Sequence, residues 1–120
     1  MKTKTFRVPI YNVRLCIVVA DTTAVELNKF LKKKFGAVLH ADEVDGADGS
    51  CNILDDDVVI WLRRFSPRKP SDMGVLAHEC LHATDFILWR AGISMTHSSE
   101  EAFNYLLGWM VEKILGWYSK

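Results

Sequence analysis

The chain has 120 residues, the size of one domain, with 15 basic and 15 acidic side chains, 49% apolar and 25% charged residues. With a formal charge of zero no broad basic face is expected, so neither nucleic acid nor membrane is an expected partner. Cys16, Cys51 and Cys80 form an odd set without a CxxC pair, which argues against a disulfide framework and for a reducing, cytoplasmic setting.

Lys2, Lys4 and Arg7 open the chain, but the apolar run over 15–20 is too short for the core of a signal peptide. Residues 5–20 read as one strand, bent near Pro9 and Asn12, with the β-branched run Leu15-Cys16-Ile17-Val18-Val19 suited to a sheet centre. Thr23 and Glu26 form the capping box of a helix whose apolar face is Leu27, Phe30, Leu31 and Phe35. Lys32, Lys33 and Lys34 complement its C-terminal dipole, and Gly36 ends it. Residues 37–41 read as a short strand and 42–50 as a loop. Residues 51–54 and 58–65 read as two strands joined at Asp55-Asp56-Asp57.

The segment 66–70 holds two prolines and breaks the pattern. A helix then starts near Ser71 or Asp72, runs to about Arg90 and stops at Gly92. The last helix, from about Ser99 to Tyr118, carries an apolar stripe of Phe103, Leu106, Leu107, Met110, Val111, Ile114 and Tyr118. The expected architecture is a single α+β domain over 1–120. It has a small mixed sheet, an N-terminal helix, a central helix and a C-terminal helix.

The chemistry concentrates in His78-Glu79-Cys80-Leu81-His82. Histidines four apart share one helix face, about 6 Å apart along the axis, and can converge on one metal. Glu79 leans to the side of that face, where it can take a proton from a metal-activated water. Zinc suits two imidazoles and a carboxylate, although iron uses the same set. A catalytic zinc usually has three protein ligands. The metzincin extension is excluded, because it needs glycine at 85 and histidine at 88 where this chain has Asp85 and Leu88. Asp85 lies too far along the helix to ligate easily; it is read as holding an imidazole N–H, with a solvent-facing aspartate as the alternative. Glu100 and Glu101, at the start of the last helix, remain as ligand candidates; Glu101 also fits a capping box with Ser98.

His78-Glu79-Cys80-Leu81-His82, with Glu101-Ala102 and then Gly108, resembles the thermolysin-type gluzincin metallopeptidases. The resemblance covers residues 75–108. Its small size is also similar to compact zincin-like proteins of phages or mobile elements. It implies a minimal zincin-like fold, Zn2+ held by His78, His82 and Glu101, Glu79 as general base, and a peptide or protein substrate. Tyr105 stands where the family often has an aspartate supporting the first histidine, and it is read either as donating a hydrogen bond to a ligand or an oxyanion or as a packed aromatic. In such enzymes a sheet edge pairs with the substrate. The strand containing Ile60 and Trp61 is the expected edge, and packing in the core is its alternative. Two other readings stand beside zinc-dependent peptide hydrolysis: a zincin-like regulatory or binding protein without proteolysis, and a helical interaction module without metal.

Overall fold

The computed structural model describes residues 1–120. It contains strands β1 (Lys2–Val8), β2 (Val13–Val19), β3 (Gly49–Leu54) and β4 (Asp57–Leu62). Its helices are α1 (Ala24–Phe35), α2 (Ala41–Val44), α3 (Pro70–Arg90) and α4 (Glu100–Tyr118), the last preceded by a 3-10 turn, His97–Ser99. The strands form one mixed sheet in the order β1-β2-β4-β3, so the architecture is α+β. β2 and β4 run parallel at its centre, and β1 and β3 pair antiparallel on the outside.

The central strands are apolar on both faces, and alternation sends their side chains into two cores. Cys16, Val18, Val59 and Trp61 meet Leu27, Leu31 and Phe35 of α1. Leu15, Ile17, Val58 and Ile60 meet Leu76, Cys80, Ala83 and Ile87 of α3, with Phe103, Leu106, Met110 and Ile114 of α4. The sheet is therefore sandwiched between α1 and the α3–α4 pair. No helix is long and apolar enough to cross a membrane.

α1 begins and ends as its sequence implies. Thr23 Oγ1 accepts from the Glu26 N–H, and Gly36 adopts φ +72° at the C-terminus. Asp55 and Asp56 both take positive φ, which lets the tight β3–β4 turn match the strand twist. Gly92 takes φ +81°, and the Ile93 N–H reaches back to the Leu88 carbonyl to close α3.

Three local expectations are corrected. Residues 5–20 are two strands, because the chain reverses over Pro9–Asn12, with Ile10 and Asn12 at positive φ. Residues 37–41 form no strand; Asn28 satisfies both the N–H and the carbonyl of Leu39, occupying the groups a strand partner would need. The box before α4 is built by Thr96 and Ser99 around the 3-10 turn, not by Ser98 and Glu101.

Arg63, just after β4, was not legible as a structural residue. Its guanidinium donates to the carbonyls of Ala47, Thr22 and Val44 and to Asp21, and it stacks 5.0 Å from the Trp61 ring. It ties both connections leading into and out of α1 to the end of the sheet. Replacement with alanine strands three largely covered carbonyls, and the expected loss is about 2–4 kcal/mol in chemical denaturation. Arg63→Lys recovers little of it, since an ammonium lacks the planar fork.

Candidate metal centre

α3 distributes its residues over distinct faces at about 100° per step. Leu76, Cys80, Ala83 and Ile87 are buried against the sheet, while His78 and His82 are exposed on the far side. Glu79 falls between these faces and is 5% exposed. It is turned toward β3, where Cys51 lies close enough to feel its charge.

Gly49 makes that neighbourhood possible. A Cβ there would lie 2.9 Å from Val75 Cγ1 and 3.0 Å from the Trp61 carbonyl oxygen. Only a residue without a side chain lets the start of β3 approach α3 so closely.

The two imidazoles meet Nε2 to Nε2 at 3.1 Å, with ring planes at 77°. Two nitrogens held about 2.05 Å from a tetrahedral zinc would be about 3.3 Å apart. The pair is thus built almost to the edge length of a coordination tetrahedron. Glu79 Oε1 lies 3.7 Å from His78 Nε2. Glu79 Oε2 is buried without a hydrogen-bond partner. The three side chains bring one donor atom each within 4.8 Å of one another, an arrangement compatible with a zincin motif and able to hold a metal ion.

Burial raises the Glu79 carboxyl above its ordinary range, and the two imidazoles partly offset this. Burial, with Glu79 adding to it, pushes the Cys51 and Cys80 thiols up to about 12. They stay neutral near pH 7 and pack as small hydrophobes rather than serving as thiolate ligands.

The other sequence candidates stand apart from this cluster. Glu100 and Glu101 are exposed on the first turn of α4, and neither belongs to the convergent donor group. α4 buries Phe103, Leu106, Met110 and Ile114 and exposes Glu101, Tyr105, Gly108 and Glu112, so this second stripe faces solvent. Tyr105 is 76% exposed, and space is open around Gly108, which therefore marks no close helix approach. Asp85 is exposed, and no hydrogen bond joins it to His78 or His82. His97 is exposed beside Glu100 and does not belong to the convergent donor group.

Ile60 and Trp61 are corrected as substrate-edge residues. β4 is hydrogen-bonded on both sides, and both side chains are fully buried. The free edge beside α3 belongs to β3. Residues that the sequence analysis missed line the space next to Glu79: Asp48, Gly49, Ser71 and Gly74. A glycine inside an expected helix was the available signal at 74.

No family model, curated protein or solved structure matches the chain.

The raised Glu79 carboxyl has a consequence for the metal-free protein. Unfolding releases the side chain to its ordinary pKa of about 4.5. Stability is therefore unaffected below that value and falls as pH rises from it toward the folded value. Metal-free Glu79→Gln is expected to melt above wild type at pH 8, with the gap closing as pH falls to 4. Paired thermal melts in a chelator across that range check this, and a gap that does not vary with pH would refute it.

Proposed function

We propose that the protein is a zinc-dependent peptidase of minimal zincin type. The observation that carries this reading is the 3.1 Å approach of two imidazole nitrogens beside a buried carboxylate with an unpartnered oxygen. Each feature alone has an ordinary explanation. Together they form an acceptor-rich site whose donors converge on one point, and a cation there would relieve the desolvation of Glu79.

His78 and His82 would hold the ion through Nε2. Zinc bound there supplies Lewis-acid polarisation of a peptide carbonyl and of the attacking water. Glu79 is the general base. Burial raises its proton affinity, and Oε1, 3.7 Å from His78 Nε2, is the oxygen on the side of the imidazoles. The water oxygen bonds to the carbonyl carbon, and its proton passes to Glu79. The carbon–nitrogen bond then breaks as Glu79 returns that proton to the leaving amine, giving an acid and an amine. The polar β3 edge is the surface on which an extended peptide would add as a strand next to Glu79.

Glu101 is proposed as third ligand on the resemblance of Glu101-Ala102 to gluzincins. Its place outside the donor cluster favours, as a second reading, a metal-binding protein that does not hydrolyse peptides.

Metal analysis and turnover separate these. Wild type should take up one zinc per chain, and His82→Ala should lose at least about 10²-fold in affinity, because one of two imidazole ligands is gone. Glu79→Gln should keep the zinc and lose about 10²–10⁴-fold in hydrolysis of a broad peptide library. Zinc uptake with no cleavage selects the non-proteolytic reading, and failure to bind zinc overturns both. For Glu101→Ala, a tenfold or greater loss of zinc affinity assigns it as a ligand, and unchanged affinity removes it.

A further inference from the structure

The donor group of the candidate metal centre is incomplete. It consists of His78, Glu79 and His82. A zinc ion takes four ligands. Glu79 stands on the covered side of α3 at 5% exposure, while both imidazoles stand in solvent. Asp85, His97, Glu100 and Glu101, the other donors considered for this centre, lie outside the group. The ligands on the outer side of the ion therefore come from outside this chain.

The imidazole pair shows what fits there. Its Nε2 atoms are 3.1 Å apart, close to one edge of a coordination tetrahedron. A tetrahedron has an opposite edge of the same length, set at right angles to the first. A two-fold axis through the ion exchanges these two edges. An identical pair on a second copy of the chain therefore completes the four positions, in the closed symmetry that most homodimers use. The pair can be reached by such a partner, since the His78 side chain is 69% exposed.

The surface around the pair is suited to contact with its own copy. At about 100° per residue, Asp85 and Trp89 share the outer face of α3 with His78 and His82, and Leu81 borders it. Trp89 is 66% exposed and Leu81 42%, so two large apolar side chains stand in water on the flanks of the imidazoles. Asp85 is exposed on the same face. Two such carboxylates brought together across the axis repel each other, and a divalent cation beside them offsets this. Apolar contact favours the pair of chains, and the acids make it depend on the metal.

We infer that one zinc ion joins two copies of the chain through His78 and His82 of each, and that this pair is a closed resting form of the centre. The inference rests on the metal-centre part of the reading above and not on hydrolysis. A zinc with four protein ligands is a closed site, whereas a catalytic zinc keeps one position open. When zinc is scarce, two chains share an ion. When it reaches one ion per chain or more, each chain holds its own and the open form is released by mass action.

The experiment follows the mass of the full chain by light scattering after size exclusion, with the zinc in each peak counted. In chelator the mass should be that of one 13.7 kDa chain. With half an equivalent of zinc it should double, at one ion for two chains, and X-ray absorption should find four imidazole nitrogens around the metal. With several equivalents it should return to single chains that carry one ion each. His82→Ala should stay single at half an equivalent. Trp89→Glu should weaken the zinc-bridged pair about tenfold through lost apolar contact, with zinc uptake in excess metal as in wild type. Single chains with one ion each at every ratio overturn the bridged pair and leave the metal centre standing. Doubling that persists in chelator also overturns it, because metal is then not the bridge. A chain that takes up no zinc overturns both the pair and the metal centre.

Discussion

Glu79 is held out of water at 5% exposure, with one oxygen that no donor reaches. Such a group is destabilising in a 120-residue protein, whose whole folding free energy is of the order of 10 kcal/mol. The rest of the architecture makes sense as the means of keeping it there. α3 is anchored to the sheet by Leu76, Cys80, Ala83 and Ile87 on the adjacent face, so the helix cannot rotate to release the carboxylate without emptying the larger core. Gly49 brings the edge strand against it and completes the burial.

The same anchoring sets the histidines. With the sheet face fixed, residues 78 and 82 have nowhere to point but outward, one turn apart, and their imidazoles meet over the helix surface. Their exposure and the burial of Glu79 are complementary rather than contradictory. In the proposed reading the imidazoles must be reachable by an ion and by substrate, while a general base benefits from desolvation. One helical turn supplies both environments because consecutive positions differ by about 100°.

The two sides of α3 are unequal. Toward α4 it packs through buried Thr84, whose hydroxyl bonds to the Cys80 carbonyl and lies 3.7 Å from Met110 Sδ. Toward β3 it leaves an open cleft where Gly49, Ser71, Gly74 and Val75 lie beside His78 and Glu79. His78 and Glu79 border that cleft, on the flank away from the Thr84–Met110 contact.

Much was readable in the sequence because it depends on local periodicity. The helix that starts beside Pro70 and ends before Gly92, the capped helix from Thr23 to Gly36 and the Asp55–Asp57 turn follow from spacing and from backbone preferences that act over a few residues. The grouping of His78, Glu79 and His82 follows from helical geometry alone. What the sequence could not specify is which elements become neighbours. Ile60 and Trp61 look like an exposed edge only until β2 and β3 are paired to either side of β4. Nor does the sequence specify that Glu101, the ligand candidate on α4, lies exposed on the stripe opposite Phe103, Leu106, Met110 and Ile114. Asp48, Gly49 and Gly74 acquire meaning only once β3 lies against α3. Those outcomes depend on burying two faces of one sheet at once, a non-local balance of apolar area that no window of neighbouring residues contains.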